Sequence, residues 1–123
     1  MRAVFAVALC LVVGACAAFG GGGPDPYGVW DIVSVNGEDL PFQEMTEGWC
    51  ELNADGTEVC TMVAEGFPEP LVDSSPFTLG ELEDGCFPYE STDPEGGVWT
   101  GSICGDVFTA EGPDMVVVLH KRR

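Results

Sequence analysis

"CELNADGTEVC", residues 50 to 60, decides the fold, because its turn fixes a register and that register brings its two ends together. Asn53 opens a type I turn, and Gly56 supplies the left-handed position of a three-residue hairpin loop, a conformation glycine adopts without strain. Residue 53 then pairs with 57, 52 with 58, 51 with 59 and 50 with 60. Cys50 faces Cys60 at a non-hydrogen-bonded position, where Cα atoms lie about 4.5 Å apart, within the range a disulfide spans.

A second hairpin follows the same logic. "CFPYES" (86–91) and "VWTGSIC" (98–104) flank the loop Asp93–Gly97, and the register that sets Ser91 against Trp99 also sets Cys86 against Cys104. Phe87, Tyr89, Trp99, Gly101 and Ile103 then share one face, while Pro88, Glu90, Thr100, Ser102 and both cysteines share the other. Tyr89 lies opposite Gly101, an aromatic ring covering a missing side chain. The two-residue turn Gly105-Asp106 places Phe108 beside Ile103, so Phe87, Ile103 and Phe108 form a row across three strands.

Outward from these hairpins no stretch has a helical period, and 17 Gly and 9 Pro punctuate the chain, which argues against long helices and for short strands. Strands are expected near 28–35, 48–53, 57–63, 76–79, 86–91, 98–104, 107–110 and 115–121, with "FPEPLVDSSP" (67–76) a proline-rich loop. The expected fold is all-β: a small antiparallel barrel or half-barrel built from hairpins, about eight short strands with two disulfides. Leu, Ile, Val and Phe make up 25 of the 107 residues after Cys16, so the core is thin and gains from covalent staples.

The N-terminus accounts for the other two cysteines. Arg2 precedes an apolar run from Ala3 to Val13, long enough for a signal-peptide core and too short to span a bilayer. Val13-Gly14-Ala15-Cys16 resembles the bacterial lipobox, in which the cysteine receives a diacylglycerol and becomes the mature N-terminus. The resemblance implies a signal peptide at 1–15 that takes Cys10 with it. It also implies a lipidated Cys16 with a Gly-rich tether over 16–26, and a β domain over 27–123. Plain secretion, with Cys16 free or bridged, is the competing reading. Ala17 after the cysteine, rather than aspartate, implies sorting to the outer membrane within that family. The expected location is the bacterial cell envelope.

All 21 acidic residues lie after Cys16, and no lysine or arginine occurs between Arg2 and Lys121. No surface can neutralise phosphates, which excludes nucleic acid and anionic headgroups as partners. A solvated acidic exterior competes with divalent-cation binding, but no complete calcium loop is present and Asn53–Glu58 is already explained as a turn. A zinc site lacks C-x₂-C spacing and has only His120 to help, so no metal or other cofactor is expected.

Gly28-Val29-Trp30, Ser34-Val35-Asn36-Gly37, Leu40-Pro41, the Leu52–Thr57 hairpin, the strand from Gly97 to Ile103 with Gly105-Asp106 behind it, and a last strand Val116–Leu119 running into basic residues are similar to small bacterial lipocalin-like lipoproteins. The resemblance implies that Trp30 closes one end of the barrel with a basic residue, Arg122 or Lys121, packed over it. It also implies an interior wall for an apolar ligand, for which Trp30, Phe87, Tyr89, Trp99, Ile103 and Phe108 are the candidates.

Catalysis finds no support: His120 is the single histidine and sits at a strand end, and no nucleophile elbow, P-loop or metalloprotease motif occurs. The leading expectation is a non-enzymatic envelope binding module for a small apolar ligand. The alternatives are a structural or inhibitory envelope protein with a filled barrel acting through surface loops, and an acidic cation-binding surface protein.

Overall fold

A computed structural model describes residues 25–122; the segment expected as a signal peptide, the cysteine expected to be lipidated and the glycine run of the expected tether lie outside the described residues. Nine strands follow one another: β1 (Gly28–Val35), β2 (Glu38–Asp39), β3 (Met45–Leu52), β4 (Thr57–Ala64), β5 (Leu71–Leu79), β6 (Cys86–Thr92), β7 (Val98–Cys104), β8 (Val107–Glu111) and β9 (Val116–Lys121). From β3 onward each strand pairs antiparallel with the next, β1 pairs with β3, and β9 returns to pair with β1. Eight strands thus close an antiparallel barrel, full rather than half, and the short β2 is added beside β1. Closure gives every one of the eight strands a neighbour on both sides, although β5 and β6 are joined only through Phe77–Leu79 and Tyr89–Ser91, and residues 25–122 achieve it among themselves.

Both expected hairpins have the register their turns dictate. Asn53 N–H donates to Thr57 O and Gly56 N–H to Asn53 O, each at 3.0 Å, and Cys50 is bridged to Cys60 with Cα atoms 4.0 Å apart. The Asp93–Gly97 loop repeats that turn, with Gly96 at φ 90° like Gly56, and Cys86 is bridged to Cys104 at a Cα distance of 4.2 Å. Cys50 lies among the buried core residues, whereas Cys86 and Cys104 lie on the outward face expected for them, beside Ser102. One staple is inside the barrel and one outside.

The segment expected as a loop at 67–76 is half strand, since β5 begins at Leu71. Its first six residues pair only with β4 and its last three only with β6. Pro76, which has no N–H to give, stands at the handover between the two, where a missing donor does least harm to the ladder.

The barrel has two unlike halves. Near the pole where the chain enters and leaves, Trp30, Leu52, Ile103, Phe108 and Leu119 are almost wholly buried, joined by Phe77 and Tyr89. Phe108 packs tilted against Trp30 at 5.6 Å and against Tyr89 at 4.7 Å between ring centroids, the geometry aromatic quadrupoles favour. Trp30 Nε1 donates to Pro26 O at 2.9 Å, and Lys121 Nζ sits 5.0 Å from the Trp30 ring centroid while donating to the carbonyls of Asp25 and Tyr27. Asp25 and Pro26, which the sequence reading assigns to the tether, are thereby held against the barrel.

Trp30 and a basic residue do close this pole, but the residue is Lys121. Strand alternation turns Arg122 outward, where it pairs with Asp31 and lies 5.4 Å from the centroid of the Trp49 ring.

Candidate functional site

The other half of the barrel is an open cup of about 290 Å³. Its wall is built from inward positions at the mouth ends of the strands: Ile32 and Val35 on β1, Met45 on β3, Met62 on β4, Ala110 on β8 and Val117 on β9. Register shifts in β1 after Ile32 and in β3 after Met45 break strict alternation, and that irregularity turns Val35 and Met45 inward together with Ile32 and Cys50. The methionines are informative. Of the four in the chain, the three beyond Met1 are Met45, Met62 and Met115, and all three line the cup. Unbranched, polarisable thioethers give a wall whose shape can adapt.

Trp99 forms part of the rim. Its ring lies so close over Gly112 that a Cβ there would come within 2.7 Å of it, and its Nε1 donates to Asp93 Oδ2 at 3.0 Å. Asp93 also accepts from the N–H groups of Gly97 at 2.8 Å and Glu95 at 3.0 Å, and the Trp99 and backbone donors hold its carboxyl below the ordinary carboxylate range. One aspartate therefore shapes the β6–β7 turn and fixes the rim tryptophan.

The Cys50–Cys60 bridge forms part of the inner surface, and beside it Glu58 is buried inside the barrel. The Tyr89 hydroxyl donates to Glu58 Oε1, and Glu58 Oε2 lies 3.1 Å from Cys60 Sγ. That sulfur is bonded to Cys50 and carries no hydrogen, so a hydrogen bond there has to be donated by the protonated carboxyl. Burial pushes the Glu58 carboxyl up, in the same direction, against the opposing effect of the Tyr89 hydroxyl. The Tyr89 phenol is pushed far up by its own burial and by Glu58, so it stays neutral. Cys50, Glu58 and Cys60 place three ligand atoms within 4.8 Å of one another, but with both sulfurs bridged the trio offers a metal only one carboxyl.

Of the six residues expected to face a ligand, only Trp99 lines the cup. Trp30, Tyr89, Ile103 and Phe108 are packed in the filled half, and Phe87 is half-buried against it. The reason is geometric: rings projecting from opposite walls of an eight-stranded barrel meet across its axis and fill it. The aliphatic and methionine wall was missed because its members come from β1, β3, β4, β8 and β9, which only barrel closure brings together. The clue in the sequence was the methionines, three in a chain with few large side chains to spare. No known protein family, curated protein or solved structure matches the chain.

Proposed function

We propose that this chain is a lipid-anchored cell-envelope binding module, not an enzyme, which holds a small apolar molecule in the open half of its barrel. The observation that carries the reading is the contrast between the two halves of one interior, an aromatic plug at one pole and an open apolar cup at the other. Small barrels ordinarily fill themselves, and a cavity lined by apolar side chains with a few polar groups at its edge is the usual form of a small-molecule site. The meandering strand order is that of up-and-down barrels such as lipocalins, which supports the resemblance carried by Trp30 and the turns. The lipobox resemblance at Cys16 supports the anchor.

The buried carboxyl is poorly suited to catalysis, since Glu58 is occupied by Tyr89 and the disulfide, and His120 is exposed on the strand that closes the barrel. A native mass spectrum of residues 24–123, secreted into an oxidising compartment, tests the ligand reading. Extra mass that vanishes on denaturation is the expected result. A bare chain, lighter than the reduced mass by the hydrogens of two bridges, counts against it.

That outcome would favour the second reading, a protein acting on an envelope partner through its surface. Phe67, Leu71 and Val72, exposed at 49%, 45% and 60% along the β4–β5 hairpin, support it. The anchor has its own test: a Cys16→Ala variant of the full chain is expected to leave the membrane fraction, and unchanged fractionation would refute lipidation.

A further inference from the structure

The cup is apolar, yet two charged side chains line it, Asp73 and Asp93, and both are acids. Asp93 is occupied by Trp99 and the turn it organises. Asp73 is different. It stands on β5 directly across from Cys60, on the inward side of the strand, and among the described residues its carboxylate has neither a hydrogen bond nor a cation beside it. Among the described residues no base compensates it, because Lys121 and Arg122 lie at the opposite pole and are engaged there by Asp25, Tyr27 and Asp31.

The connections around the mouth add Glu65, Glu69, Glu95 and Asp114. Low-dielectric walls concentrate such a field at the entrance of a cavity, so a negatively charged headgroup is repelled there and a positive one is drawn in. A bare divalent ion is poorly served, since calcium takes six to eight oxygens and an apolar cup with one free carboxylate cannot supply them. What suits an apolar wall with a single unpaired carboxylate at its edge is a molecule with an apolar body and one positive group.

We propose that the occupant of the cup is a hydrophobic amine, its body against Met45, Met62 and Met115 and its ammonium on Asp73. This rests on the cup being a ligand site and goes further, because it sets the sign of the ligand and names the residue that reads it. It separates this protein from carriers of fatty acids, whose carboxylates require a base at the corresponding place.

The test uses residues 24–123 labelled with ¹³C at the methionine methyls, which yields a signal from each of the three methionines of the cup and from nowhere else. Octylamine, octan-1-ol and octanoate are titrated at neutral pH and low salt, against the unaltered domain and against Asp73→Asn. Asp73 is exposed, and its amide analogue should leave the barrel intact. The expected result is that octylamine shifts the methionine signals with a Kd about tenfold below that of octan-1-ol, and that octanoate shifts them least. Asp73→Asn should bring the amine to the level of the alcohol without changing the alcohol.

Equal binding of amine and alcohol, or an amine affinity that survives Asp73→Asn, would overturn the charge assignment and leave the cup standing. Failure of all three to move the methionine signals would overturn the cup itself. Amine held only by the acidic exterior would move none of the three signals and is thereby told apart.

Discussion

Glu58 shows how one residue can make a barrel sensitive to pH. Its carboxyl is held above its ordinary value of 4.5 by burial, so the folded chain keeps a proton that the unfolded chain releases more readily. The stabilisation from a raised carboxyl is complete below its unfolded value and is lost as pH rises through its folded value. Glu58→Gln keeps an acceptor for the Tyr89 hydroxyl and cannot ionise. The variant should match the parent near pH 4 and exceed it in Tm progressively above the ordinary carboxylate range. Thermal melts across pH 4 to 8 check this. A constant difference would mean that Glu58 ionises inside the barrel as easily as in water. Nothing in the sequence marked Glu58 out among 21 acidic residues, because its burial depends on Tyr89, a partner on a strand far along the chain.

At the scale of strands and hairpins, Gly101 and the two bridges set the strongest constraints. Gly101 is expected opposite the Tyr89 ring, and that pairing is present. The tighter constraint comes from the other side, where a Cβ on Gly101 would lie 1.9 Å from the Thr109 carbonyl oxygen of β8. Relief requires the backbone of one strand to move, so Gly101→Ala should cost roughly 3 kcal/mol, about 15 °C in Tm for a domain of this size. A melt within a few degrees of the parent would show that β7 and β8 can separate cheaply.

The bridges invite a comparison. They span 10 and 18 positions, and chain entropy alone favours the outer Cys86–Cys104 by about 0.5 kcal/mol. The inner pair also contributes buried sulfur to the core, worth on the order of 1 kcal/mol. Replacing Cys50 and Cys60 by alanine should therefore destabilise more than replacing Cys86 and Cys104, as read by denaturant unfolding; the reverse order would mean that loop closure dominates. Hairpins of this kind were legible in the sequence because a turn such as Asn53–Thr57 is local and carries its register with it. The strand from Leu71 was not, because prolines usually mark loops and only the handover from β4 to β6 makes Pro76 tolerable.

For the whole molecule, charge is the dominant quantity. Acidic residues outnumber basic ones by 21 to 4, and their mutual repulsion is screened by salt. Tm should rise steadily between 10 mM and 1 M sodium chloride, and calcium chloride at matched ionic strength should do no better. A larger rise with calcium would reveal a cation site. Barrel and bridges could be foreseen from alternation and turns; the cup could not, since its wall is assembled from strands that meet only when β9 closes onto β1. Closure also puts Asp25 and Lys121 within hydrogen-bond reach at the plugged pole, so the chain enters and leaves where the barrel is shut. If Cys16 carries the lipid proposed above, the point of attachment is on the side of the plug, and the mouth lies at the far end of the barrel from it.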